Sequence, residues 1–159
     1  MNSVSAPSVL PGFTATPELT DALQRALVDV TALSLVTKQI HWNVVGANFR
    51  DIHQGLDEVV DIAREASDTL AERMRAINVV PDGRPETVAD STLPTAPADL
   101  TIVADAVTYE VAAINAVVTT LRDIHKVVDE TDSMSCGLIE DVTLKLEQQA
   151  SSKDRKSVV

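Results

Sequence analysis

A single cysteine, Cys136, leaves no intrachain disulfide to form and fits a reducing cytoplasm, where the chain is expected to reside. Cys136 reads as a small packed side chain. Aromatic residues make up only 3% of the 159 positions against 45% hydrophobic overall, so the core falls to Ala, Val, Leu and Ile. Short aliphatic side chains of this kind suit close helix packing. No apolar run approaches the roughly 18 residues of a membrane span. Residues 1–12 hold no Lys or Arg, the charged start that a signal peptide needs. Basic residues are scarce throughout: 13 Lys and Arg face 24 Asp and Glu, for a net charge of −11. That balance disfavours nucleic-acid binding over the general surface and favours attraction of cations. It also serves plain solubility.

Sustained strand-like alternation is missing too, and what remains is helical period. Residues 1–16, rich in Ser, Pro and Ala, read as a mobile arm. Thr16-Pro17-Glu18 supplies an N-cap, a first-position proline and a first-turn acid. Leu19, Leu23, Leu27, Val30 and Leu33 then carry a first helix through Val44, ended by Gly46 as a left-handed cap. Asn48 is the expected cap of a second helix bearing Ile52, Leu56, Val59, Ala63, Ala66, Leu70 and Met74, which stops near Asn78. A proline-broken connection follows, with a short helix around Glu86–Ser91. A third helix runs from about Asp99 to Glu130. A fourth spans Ser133 to Ala150, and residues 151–159 form a polar tail. Four helices over 17–150, the middle two joined by a long crossover, make an all-α, ferritin-like four-helix bundle.

The chemistry concentrates between His41 and Glu72, where histidine and carboxylate together suit divalent iron or zinc. His53 and Asp57 are four apart, as are Asp68 and Glu72, and all four fall within about 100° of one helix face. One helix cannot wrap both pairs around one ion. Asp57 and Asp68 stand about 16 Å apart along the axis at 1.5 Å per residue, while metal–ligand bonds are about 2 Å long. Two antiparallel copies related by a two-fold near Ile62 and Ala63 set one pair opposite the other, twice over. The spacing predicts a metal site split between subunits. An intrachain di-iron centre would need Glu-x-x-His pairs. Here Lys38, Arg50 and Arg122 precede the three histidines by three, so there is none.

The run Lys38-Gln-Ile-His41-Trp42-Asn43 through Gly46-Ala-Asn48-Phe49 to His53 and Asp57, followed by Asp68-Thr-Leu-Ala71-Glu72-Arg73, closely resembles the signature of the Dps proteins, or mini-ferritins. The resemblance extends to about residue 150. It implies a hollow dodecamer with ferroxidase sites at the two-folds, which oxidises Fe(II), preferentially with hydrogen peroxide, and stores ferric mineral. His41, His53 and Asp57 would come from one subunit, Asp68 and Glu72 from its partner. Trp42 would lend an electron or quench a radical; interface packing is the other reading. Glu58, Asp61 and Glu65 form an acidic stripe, either mineral nucleation or a solvated face. Asp129, Glu130 and Asp132 lie where the family lines its iron-admitting pores, although Gly137 stands where a further acid is expected. His125 shares no spacing with the cluster and reads as structural.

The fourth helix looks cut short, because Leu146-Glu147-Gln148-Gln149-Ala150 leads into Ser151-Ser152-Lys153-Asp154-Arg155-Lys156 where relatives continue with an apolar segment. The competing function is a nucleoid-associated protein that covers DNA. Its cations would be Lys153, Arg155 and Lys156 of the tail, twelve copies adding avidity against an acidic body.

Overall fold

The computed structural model describes residue 10 and residues 12–156. The element order is α1 (Pro17–Asn43), β1 (Val44–Val45), α2 (Phe49–Ala76), α3 (Pro85–Val88), β2 (Thr101–Ile102), α4 (Val103–Thr131) and α5 (Ser133–Lys156). The four long helices form the expected four-helix bundle, α1 against α2 and α4 against α5, with residues 77–102 crossing from the end of α2 to the start of α4. Among the described residues no helix is long and apolar enough to cross a membrane.

The start of α1 follows the sequence closely. Thr16 Oγ1 accepts from the Leu19 amide at 3.1 Å, and Pro17 opens the helix without a donor to lose. Its end does not. The helix stops at Asn43, because Val44 turns extended and Val44–Val45 pairs in parallel with Thr101–Ile102. Gly46 has φ +119°, a turn residue beyond the strand rather than a helix cap. The same ladder delays α4 to Val103, four residues after the expected start at Asp99. Asn48 does stand at the head of α2, but in the left-handed region (φ 61°) with no side-chain cap bond; its carbonyl accepts from Ile52 N at 3.3 Å. The short crossover helix shrinks to one turn.

Two corrections concern the termini. Of the arm, residues 1–9 and 11 lie outside the described residues. The rest is held: Phe13 and Ala15 pack on the main core, and Asn78 Nδ2 donates to the Leu10 carbonyl at 3.3 Å. At the other end, α5 runs six residues past Ala150, to Lys156. Lys153 explains the extension. It is buried, donates to Gln149 Oε1 at 2.8 Å, and lies over Gly55 of α2. A residue expected in a basic tail is therefore part of the bundle.

The main core runs the bundle's length through Leu23, Leu33, Leu70, Ile114, Leu121, Ile139 and Leu146. A smaller cluster of Ile40, Val44, Ile52, Leu56, Ala106 and Val107 clamps the end of α1 to the starts of α2 and α4. His41 and His53 each follow a member of it, so the clamp fixes their backbones. Buried Asp29 ties the crossover down, accepting from Ser91 Oγ at 2.9 Å and Thr120 Oγ1 at 2.7 Å.

Near the clamp Glu110 is fully buried. It accepts from Thr37 Oγ1 at 3.0 Å, its second oxygen has no hydrogen-bond partner among the described residues, and burial pushes its pKa up to about 7 against the Thr37 hydrogen bond and the charge of Lys153. A carboxyl raised on folding binds more protons folded than unfolded between 4.5 and about 7, so the native state loses stability as pH rises through that window. Glu110→Gln is expected to remove this slope. The difference in melting temperature between variant and wild type should move in the variant's favour from pH 4.5 to 8; a constant difference would contradict it.

Candidate metal centre

His41, on the last turn of α1, and His53 and Asp57, one turn apart on α2, present ligand atoms within 4.8 Å of one another. The short loop between the helices makes them antiparallel, which brings residues twelve and sixteen apart in sequence together. The two imidazoles stack, with centroids 3.6 Å apart, and Phe49 closes over His53 at 4.7 Å. His41 Nδ1 lies 3.1 Å from the His53 carbonyl and 3.3 Å from Asp57 Oδ1. A proton on Nδ1 serves both acceptors and leaves Nε2 as the lone-pair donor.

Electrostatics prepare the group for a cation. Burial lowers the His41 pKa, Asp57 raises it, and His53 and Lys38 lower it again, so the ring is neutral at pH 7 and able to ligate. Asp57 is held below the usual carboxylate range, first by its hydrogen bond from Lys38, whose Nζ sits 2.5 Å from Oδ1. His53 Nδ1 is buried with no hydrogen-bond partner among the described residues. An orphaned buried polar atom costs about 1–3 kcal/mol, and a metal ion would relieve it. Two imidazoles and a carboxylate suit Fe(II). Lys38 and Phe49 were given no role from sequence, although both stand inside the signature run from Lys38 to Asp57.

Asp68 and Glu72 are not in this group. They stand exposed on the same uninterrupted α2, three to four turns further on. Glu58, Asp61 and Glu65 are exposed as well, with Glu58 reached by Gln149 at 3.4 Å and Glu65 by Lys145 at 3.9 Å, both from α5. Trp42 is 70% exposed beside His41, an unusual position for the chain's one tryptophan.

The three acids at the far end differ. Asp129 and Glu130 are exposed, whereas Asp132 is buried and committed. It accepts from Arg73 at 2.7 Å and from Ser135 Oγ at 2.5 Å, which joins α2 to the α4–α5 turn. Burial alone would raise its pKa, but Ser135 and Arg73 outweigh it and hold it low. His125 is not isolated: its Nε2 lies 2.9 Å from Glu140 Oε1, beside Cys136.

The fold matches known proteins. The ferritin-like domain family matches residues 20–152. Dps from Microbacterium arborescens, in the high iron form, superposes with a TM-score of 0.85 and 30% identity, over 93% of this chain and 100% of that one. Mycobacterium smegmatis Dps gives 0.82 and 26%, over 96% and 92%. A DNA protection during starvation protein of Halobacterium salinarum is 47% identical over 68 residues, 43% of this chain and 37% of its own length. The matched stretch thus spans well under half of that relative. This chain belongs to the ferritin-like family and, within it, to the Dps mini-ferritins.

Proposed function

We propose that the protein is a ferroxidase and iron-storage subunit. Two chains meet antiparallel along α2, and His41, His53 and Asp57 of each face Asp68 and Glu72 of the other. Twelve chains close into a shell that retains ferric mineral and limits oxidative damage. Iron is substrate and cargo here, and hydrogen peroxide is the oxidant. The balance is 2 Fe²⁺ + H₂O₂ + 2 H₂O → 2 FeO(OH) + 4 H⁺: each iron gives one electron, and the O–O bond breaks.

The observation that carries this reading is a half-built site. Of three converging ligand groups, one with an orphaned nitrogen, two share α2 with a pair of exposed carboxylates that cannot reach them. The carboxylates are hard donors that favour ferric product, and the imidazoles hold Fe(II). The exposed Trp42 next to His41 is placed to supply a transient electron or to pack against the second chain. Asp129 and Glu130 are the acids left to attract iron at a pore, since Asp132 is engaged. Glu58, Asp61 and Glu65 are the candidates for nucleating mineral.

Anaerobic Fe(II) loading followed by peroxide tests the proposal. A particle near twelve chains should consume about one peroxide per two Fe(II), the two-electron balance of the step. His53→Ala should abolish the fast phase while leaving particle size unchanged. Unaltered rates in that variant would reject the site. DNA coverage, the competing function, draws no support from the fold, since one of its three expected tail cations, Lys153, is buried.

A further inference from the structure

At the other end of the bundle, His125 on α4 and Cys136 and Glu140 on α5 bring an imidazole nitrogen, a sulfur and a carboxylate oxygen within 4.8 Å of one another. We infer that these three residues form a second metal site, within one chain, that takes a thiolate-seeking divalent ion of the zinc class. Twenty-two residues of α4 separate His125 from the start of the helix by about 33 Å, so this cluster is remote from His41.

The donor set discriminates between metals. Thiolate and imidazole favour zinc, whereas the first cluster, with no sulfur, suits iron. The scaffold is rigid: Cys136 and Glu140 are one turn apart on α5, and His125 faces them across the α4–α5 packing. In a tetrahedral site with bonds of about 2.0–2.3 Å the donors stand roughly 3.3–3.6 Å apart. All three donors lie within 4.8 Å of one another, and the His125–Glu140 contact of 2.9 Å has to open only slightly to reach that spacing. Three protein ligands leave a fourth position for water.

The surroundings agree. Burial pushes the Cys136 thiol up, and so do the charges of Asp129 and Glu140, the thiol donating a hydrogen bond to Asp129. Two carboxylates that disfavour a bare thiolate favour the same thiolate once a divalent cation lies between them. Asp129, one turn after His125 on α4, is the first acceptor for the proton that leaves as the sulfur–metal bond forms. Cys136 is 3% exposed, whereas His125 and Glu140 side chains are 43% and 57% exposed, so an ion arrives from solvent and meets sulfur at the bottom of the site.

Cobalt(II), a spectroscopic stand-in for zinc, tests this in the assembled His41→Ala/His53→Ala variant, where the first cluster cannot compete. About one Co(II) per chain should bind, with a sulfur-to-cobalt charge-transfer band in the near ultraviolet and tetrahedral d–d bands, all displaced by Zn(II). Adding Cys136→Ser should erase the charge-transfer band. Because Cys136 is buried, His125→Ala and Glu140→Gln repeat the test at the surface. Each should weaken Zn(II) binding by more than the roughly 10–100-fold that loss of a mere supporting residue costs. An octahedral spectrum without charge transfer, or Zn(II) affinity unchanged in both surface variants, overturns the inference.

Discussion

Two inactive variants, His53→Ala and Glu72→Ala, should regain activity when dissociated, mixed and reassembled together. In a mixed dimer one site inherits both defects and the other inherits neither. Random pairing makes half the dimers mixed, so about a quarter of all sites become intact by the two-fold symmetry of an isologous interface. Stopped-flow Fe(II) oxidation should recover that fraction of wild-type amplitude, whereas each variant reassembled alone stays inactive. The effect is large because it runs from near zero, and it is specific because no intrachain site can show it. His53 and Glu72 lie nineteen positions apart on one continuous helix, about 28 Å at 1.5 Å per residue. If the mixture stays as inactive as its parents, the shared site is wrong even where each single variant is dead.

Arg73→Ala should be the most destabilising surface-proximal change at the other end of the bundle. Arg73 reaches from α2 to Asp132 and Ser135, and the Asp132 side chain is only 7% exposed. Removing the guanidinium leaves a nearly dehydrated carboxylate with only the Ser135 hydroxyl and the Met134 amide beside it. Loss of one partner in a buried pair costs about 3–5 kcal/mol, reduced to roughly 2–4 here because Arg73 is partly exposed. That corresponds to a fall in melting temperature of roughly 5–15 °C for a chain of this size. The direction with pH follows from the depressed Asp132 pKa. A carboxyl lowered on folding adds stability above its unfolded value of 3.8 and loses it as pH falls through the lower folded value. The deficit of the variant should therefore be greatest near neutrality and shrink below about pH 4. Equal deficits at pH 7 and at about pH 2 would show that lost packing, not lost charge, is responsible.

Helical period made the bundle legible, because residues such as Leu23, Leu70 and Leu121 repeat on one face and have nowhere to go but inward. The impossibility of joining Asp57 to Asp68 was equally visible, being a matter of rise per residue. What stayed hidden was non-local. The pairing of Val44–Val45 with Thr101–Ile102 has only two rungs, too short to leave an alternation, and it moved two helix boundaries. Lys153 hid a buried position inside a polar string, since a long side chain can lay its stem along a neighbouring helix. The partner of His125 is non-local as well, Glu140 on α5. His125 with Asp129, and Cys136 with Glu140, are each four apart, a signal present in the sequence but split between two helices.

The contact between Lys38 and Asp57 gives the candidate metal centre a particular character. A tethered ammonium occupies Oδ1 of the Asp57 carboxylate at 2.5 Å. A cation that took this oxygen would displace the amine, which makes loading by that route an ion exchange. On unloading, the amine would return on its own stem.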